Sequence, residues 1–431
     1  MSNRDDPAQI AFRPGVAVKN GKFYVFSRSR VIVIRGWPEM AAWTRSATQR
    51  QWTRVRPDLD LANGQVAAVN SRQRFQPGQT LVTIPVNRVT PVEVPEEHAW
   101  LHERRLRERQ LATDYFAKVP DDVRSMVEAF PARQWHVLAM LARCEGALDL
   151  LLTNPALAYC LATCWVFTGS PSKTAMRQIR RLVARRRKNV AGALGFPATD
   201  SAVAVLAKTD RRACAVPWLL SLRQRLGEPE AHKTLLHLPV LSAPVMTIVC
   251  SGLRSFVAPS FLHQLAAAST EDSEVHVRLL GDTLRMLRQM DDSTNARFWS
   301  LRQLHRTHNS LVERINCEQT DELLHYHFPG PPLPGTEQIV PLCEPRALLD
   351  EGRTMHHCAA SYAPDVAAGG AYFYRVLAPE RATLLLRREG SQWGVGEISG
   401  PCNQRVSAET LCRIGDWLSL SWRAAGIDTP F

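Results

Sequence analysis

In the stretch EGRTMHHCAASY, Glu351 to Tyr362, two histidines directly precede a cysteine. A thiol becomes a nucleophile when a helix N-terminus or a cationic neighbour lowers its pKa. Cys358 follows His356 and His357, and a helical pattern starts just after it. Catalytic use of His357 and Cys358 is one reading. Adjacent side chains usually point apart, however, and no histidine follows His357, so a papain-like order is absent. A base for Cys358 would have to be His356, His357 or a distant residue. The other reading is a pair of helix-capping histidines beside a small buried thiol. His325 and His327 in HYH could join His356 or Cys358 around a divalent ion, but their spacing matches no standard zinc pattern. No metal site and no cofactor is assigned.

Glu397 is the second candidate for chemistry. Strict alternation along QWGVGEI puts it on one face with Trp393 and Val395, an apolar setting that raises a carboxyl pKa and suits a general acid or base. Pairing with Arg387 or Arg375 across a sheet is the alternative. The strand runs into SGPCNQ, where Gly400 and Asn403 shape a loop. Asn403 and Tyr362 are candidate polar contacts.

The densest charge lies in SKTAMRQIRRLVARRRKN. Lys173, Arg177, Arg180, Arg181, Arg185, Arg186, Arg187 and Lys188 occur there without an intervening acid. Met176, Ile179 and Val183 form the apolar stripe expected of one helix, which leaves the cations on its remaining face. Such a face can lie along a phosphate backbone and release counterions, with little sequence preference because nothing reads bases. A solvated helix face, or contact with a membrane surface or a protein, is the alternative. The net charge of +12 and pI near 9.5 favour an anionic partner, nucleic acid first.

These residues need elements to hold them. At 431 residues, 45% apolar and 22% charged, the chain reads as soluble, globular and long enough for several domains. MSNRDDPAQIAF lacks the basic head and apolar run of a secretory signal, so the expected location is cytoplasmic. Ten scattered cysteines without a CxxC pair suggest reduced thiols. The apolar run Leu150–Phe167 is interrupted by Asn154-Pro155 and reads as core, not as a membrane span.

The expected fold class is α+β. A small β-rich domain, 1–96, carries KFYVFSRSRVIVIRGW and QTLVTIPVNRVTPVEV, with a short helix in EMAAWTRSATQRQWTRV between them. An all-helical block, 97–327, is punctuated by prolines and contains the basic helix. FPGPPLPGTE, 328–337, reads as a linker. A module at 338–431 should form a helix over PRALLDE closed by Gly352, then a helix over SYAPDVAA. The strands AYFYRV, ATLLLR and QWGVGEI follow as a meander. A final helix from Ser407 to about Ala425 carries Leu411, Ile414 and Leu418 as its apolar stripe.

The segments EGRTMHHCAASYAPDVAAGGAYFYRV, ATLLLR and GEISGPCNQ resemble the PcfJ-like family, named for a protein encoded on a conjugative plasmid. The family's shared steps fall on Gly352, His357-Cys358, Ser361-Tyr362, Thr383-Leu384 and Gly400-Asn403. SLRQLHRTHNSL, with His308 and Asn309, and GALGFPATDSAVAVL extend the resemblance upstream to about Leu150, and it is strongest after Pro345. Relatives often carry an acid where this chain has Leu385, and a glutamine close to Glu397. The resemblance implies an accessory protein of a plasmid, phage or integrated mobile element and supplies no reaction. It adds Ser361, Thr383 and Gly400 as candidate contacts to a substrate or partner, and His356 joins them from the HHC segment. Two functional readings therefore stand. One is a nucleic-acid-associated accessory protein, with a possible protein partner as well. The other is an enzyme acting on nucleic acid or a nucleotide through a pocket of His357, Cys358, Glu397 and Asn403.

Overall fold

A computed structural model describes residues 15–27, 30–46, 51–67, 96–169, 175–290, 296–318, 323–390 and 392–424. The class is α+β: an N-terminal antiparallel sheet, a helical block, and a C-terminal four-stranded antiparallel sheet with helices. The described residues form two compact units, one reaching Glu274 and the other starting at Val275.

In the first unit, β1 (Gly15–Lys19), β2 (Lys22–Phe26), β3 (Arg30–Arg35), β4 (Ala41–Ser46) and β5 (Thr53–Val55) form a sheet in sequence order, every neighbouring pair antiparallel. The helix expected over Glu39–Val55 is instead the pair β4 and β5. Its alternating Ala42, Trp43, Thr44 and Arg45 gain a ladder against β3 that local helical propensity cannot match. The second expected strand, QTLVTIPVNRVTPVEV, lies outside the described residues. A hairpin follows, β6 (Asp58–Asp60) with β7 (Gln65–Ala67).

One sheet face packs on α1 (Glu96–Phe116). Phe23 and Ile34 are fully buried, and the Phe23 ring meets Tyr115 and Phe116 at 5.3 and 6.1 Å between centroids. The Tyr115 hydroxyl accepts from Gly36 N at 2.8 Å and donates to Ile34 O at 3.0 Å, which pins the helix to the strand ends. On α2 (Gln134–Leu141), buried Gln134 accepts from Leu61 N at 2.7 Å and donates to Phe130 O at 2.9 Å, tying the hairpin to the helical block.

The basic run is broken. α3 (Ala175–Val183) stops, Arg186 adopts an extended conformation, and α4 (Arg187–Ala193) begins. The apolar run Leu150–Phe167 likewise breaks into short helices, and among the described residues no helix is long and apolar enough to cross a membrane.

In the second unit, α5 (Thr270–Gln289, of which residues from Val275 belong here) and α6 (Leu301–Glu318) precede β8 (Ile339–Pro341). Then come α7 (Pro345–Met355), a 3₁₀ turn (Cys358–Tyr362) and α8 (Ala363–Ala367). β9 (Ala371–Val376), β10 (Ala382–Glu389), β11 (Gln392–Ser399) and α9 (Ala408–Ala424) complete it, with strand order β11-β10-β9-β8. Three local expectations are corrected. α7 runs through buried Gly352 to Met355 and ends on left-handed His356, φ 52°, because the Gly352 carbonyl accepts the closing bonds from His356 and His357. The helix expected over Ser361–Ala368 is split between the 3₁₀ turn and α8. On α9, Ile414 and Leu418 are buried but Leu411 is 42% exposed; Trp417 and Trp422 take the buried stripe instead.

The segment Phe328–Glu337 is held against this sheet. Tyr374 accepts from Leu333 N and donates to Leu333 O, and Trp417 donates to Pro334 O at 3.2 Å.

Candidate functional site

The C-terminal sheet sorts its side chains by register. Leu384 and Leu386 on β10 pair with Tyr374 and Tyr372, and the Tyr374 ring packs on Trp417 of α9, 5.0 Å between centroids. The opposite face carries Thr383, Leu385 and Arg387 with Arg375 and Phe373, and meets the 3₁₀ turn through Tyr362 and Phe373.

Glu397 reaches that second face through a bulge. Leu385 pairs with Glu397 but Leu386 pairs with Val395, so Gly396 is an extra residue in β11. The extra residue reverses the alternation. Glu397 and Ser399 thus share a face with Thr383, Leu385 and Arg387, while Trp393 and Val395 face the other way. This corrects the expected common face of Trp393, Val395 and Glu397. Glycine is required here, because a Cβ on Gly396 would sit 2.8 Å from Arg387 Cγ and 3.1 Å from Leu385 Cγ.

Two polar networks lie on this face. The first centres on Glu351 of α7, which is fully buried. Its Oε2 accepts from Arg375 Nε at 2.7 Å and Arg381 NH2 at 2.8 Å, and its Oε1 from Thr383 Oγ1 at 2.7 Å and Arg381 NH1 at 3.1 Å. Burial works to raise this carboxyl, but the bonds from Arg381, Thr383 and Arg375 outweigh it and hold it below its ordinary value. Thr383 Oγ1 also lies 2.8 Å from His357 Nε2, and His357 Nδ1 accepts from Ala359 N at 3.4 Å. Since Nδ1 is an acceptor, Nε2 carries the proton and donates to Thr383, which donates to Glu351. Burial lowers the His357 pKa, so the ring is neutral. With both nitrogens engaged, His357 has no lone pair to offer the neighbouring thiol.

The second network joins α5 to the 3₁₀ turn and the sheet. Arg285 donates to Asp282 Oδ1 at 2.8 Å and to Ser361 Oγ at 2.7 Å, and its guanidinium lies 3.2 Å from the centre of the Tyr362 ring. Tyr362 donates to Asp282 Oδ1 at 2.7 Å and accepts from Arg387 NH2 at 3.0 Å. Gln289 donates to Ser361 O. Cys358 Sγ is 3.8 Å from Arg285 NH2. Burial, reinforced by the charge of Asp282, pushes the Cys358 thiol far up despite that arginine, so the sulfur is a protonated wall atom. Glu397, partly buried, accepts from Ser399 Oγ at 2.8 Å. Burial and the charge of Asp282 raise its pKa against the pull of Arg278 and Arg387. His308 on α6 is 2% exposed, and its Nε2 has no hydrogen-bond partner among the described residues; burial lowers its pKa while the Asp282 charge opposes this.

This arrangement can hold a proton. Glu397 is the raised carboxyl, by burial first and the Asp282 charge second. Arg278 and Arg387 supply positive charge beside it, as an anionic group would require.

The structure thus brings Cys358, Ser361 and Tyr362 into one network, and His357 and Thr383 into another, while Glu397 stands on the same sheet face bonded to Ser399. It leaves His356 exposed at the helix end. Gly400 and Asn403 form a separate turn in which Gly400 N donates to Gln404 O and Asn403 takes φ 59°. His325 and His327 are exposed, and among the described residues no group of three or more His, Cys, Asp and Glu side chains could hold a metal. Asp282, Arg285, Glu351 and Arg381 were not singled out from sequence. The signal for the first two was the spacing of Arg278, Asp282, Arg285 and Gln289, which places them on one helical face.

The basic segment presents a different surface. Ile179, Leu182 and Val183 are buried, while Arg177, Arg180, Arg181, Arg185 and Arg186 are exposed. Arg187 is bonded to Asp149 and Thr153, and Lys188 lies 3.5 Å from Asp200. Lys173 lies outside the described residues.

A meander sheet with helices on both faces and a two-network polar face defines the C-terminal unit. Residues 279–414, from α5 into α9, match the family model described as PcfJ-like protein. The match contains both networks and SLRQLHRTHNSL with His308 and Asn309; the resemblance of GALGFPATDSAVAVL falls outside it. No curated protein and no solved structure matches the chain.

Proposed function

We propose that this protein is a nucleic-acid-associated accessory protein of a plasmid, phage or integrated mobile element, working in the cytoplasm and gripping phosphate backbone with low sequence specificity. The observation that carries this reading is the set Arg177, Arg180, Arg181, Arg185 and Arg186, exposed on and just after a helix whose opposite side is buried. Arginine forks suit phosphate oxygens, and no carboxylate intervenes between Arg177 and Lys188 to neutralise them. With it goes the proposed four-part division at 96/97, 328 and 338, in which 97–327 is the binding block and 338–431 recognises a partner or substrate.

The test is fluorescence anisotropy with labelled duplex across a salt series, for the parent and for Arg177→Glu/Arg181→Glu/Arg185→Glu. The parent's log affinity should fall linearly with log salt. The variant's slope should be shallower by about 0.9 per lost phosphate contact. An affinity indifferent to salt would sink the proposal.

A second reading rests on the raised carboxyl of Glu397 beside Asp282: an acid–base enzyme acting on nucleic acid or a nucleotide. Here Glu397 moves the proton, Arg278 and Arg387 meet the anionic group, and Cys358 only packs. Labelled single strand, duplex and RNA, each with Mg²⁺, are incubated with the parent, Glu397→Gln and Cys358→Ala. Conversion abolished in the first variant and retained in the second supports it; no conversion by the parent removes it.

A further inference from the structure

The N-terminal sheet has a second face, away from α1, and its register fixes what stands on it. Pairing aligns Ala17, Tyr24, Val33, Trp43 and Arg54 in one row across all five strands. The next row holds Gly15, Phe26, Val31 and Arg45, and a third holds Lys19, Lys22, Arg35 and Ala41 by the same alternation. The face therefore carries three aromatic residues and five cations, and no strand residue on it is acidic; Arg35 is paired with Glu39 from the following turn at 3.1 Å.

Phe26, Val31 and Val33 form a buried floor with Ala17 and Tyr24 packed on it. The rings of Tyr24 and Phe26 are parallel, 6.1 Å between centroids. Trp43 is half-buried with the Arg35 guanidinium at 5.6 Å, and Trp52, 39% exposed, has the Arg45 guanidinium at 5.2 Å. An apolar floor, half-exposed rings and five strand cations, against Glu39 on Arg35 and Glu108 at the Gly15 edge, complement a ligand that has π-faces and negative charge together.

We infer that this face is a stacking platform for single-stranded nucleic acid, its bases lying on Tyr24, Trp43 and Trp52 and its phosphates meeting Arg45, Arg54 and Lys22. The inference rests on the nucleic-acid reading proposed above and names the form of nucleic acid. A duplex hides its base faces within the stack, so it can use the cations but not the rings. Arg143 donates to the carbonyls of Glu39 and Met40 at the start of β4, and burial followed by the charges of Arg54 and Arg180 lowers its pKa.

The experiment uses labelled oligo-dT and a duplex of equal length with the full chain, Trp52→Ala, Arg54→Glu and the triple α3 reversal. Trp52 and Arg54 are exposed, and an unchanged melting temperature certifies their folding. Each sheet variant should weaken oligo-dT binding roughly tenfold, the loss of one stacked base or one contact, with little change for duplex. The α3 reversal should weaken both. Parent tryptophan fluorescence should be quenched by oligo-dT and not by duplex. Duplex binding that depends on α3, with oligo-dT binding indifferent to both sheet variants, overturns the platform alone. Absence of binding to either nucleic acid overturns both proposals, and binding only to anionic lipid vesicles does the same in favour of a membrane surface.

Discussion

Replacing Glu351 by Gln should destabilise the C-terminal unit by about 3 kcal/mol. The carboxylate accepts four bonds, two from Arg381, one from Arg375 and one from Thr383. A glutamine keeps one oxygen and turns an NH₂ either against a guanidinium that has only protons to offer or against the Thr383 hydroxyl, which already accepts from His357. Removing one partner of a buried ion pair costs roughly 3–5 kcal/mol. The side chains of Arg375 and Arg381 are 31% and 29% exposed and recover some hydration, which places the loss at about the lower end of that range. For a unit of this size that is a drop in melting temperature of roughly 6–12 °C. The effect has a defined pH dependence. The carboxyl is held below its ordinary value of 4.5, so its contribution is complete above that value and disappears as pH falls through the lower folded one. Calorimetry on parent and variant should therefore show a full gap at neutral pH that narrows in acid. A variant melting within about 2 °C of the parent at pH 7 would refute this account of the network, and so would a gap that persists unchanged into strong acid.

Two further outcomes follow from burial. Cys343 is exposed whereas Cys160, Cys214 and Cys358 are buried with thiols pushed up, so iodoacetamide should label Cys343 in the native protein and those three only on unfolding; mass spectrometry of the digests reads this directly. His136, against the Trp165 ring at 4.8 Å, is pushed down to about 3 by burial and by Arg56 and Arg133. Between its ordinary 6.5 and about 3 the unfolded chain binds the proton and the folded one does not, so stability is lost as pH drops through that window, and His136→Phe should flatten the curve in urea titrations.

Much of the fold was legible locally. The strands around AYFYRV, ATLLLR and QWGVGEI, the helical block and the terminal helix follow from periodicity, and the exposed arginines of α3 follow from composition and an apolar stripe. Class and location of charge are short-range properties, written in residue type and spacing. The partners of the candidate residues are not. Glu397 faces Arg387 because one extra glycine enters β11, an event of pairing with β10 that alternation within QWGVGEI cannot foresee. Arg285 meets Ser361 across 76 residues of sequence, and Glu351 meets Thr383 across 32. Sequence placed Cys358 beside two histidines. Tertiary packing turned one histidine outward and bound the other to Thr383. It also buried the thiol against Arg285, where burial, not chain adjacency, sets its protonation.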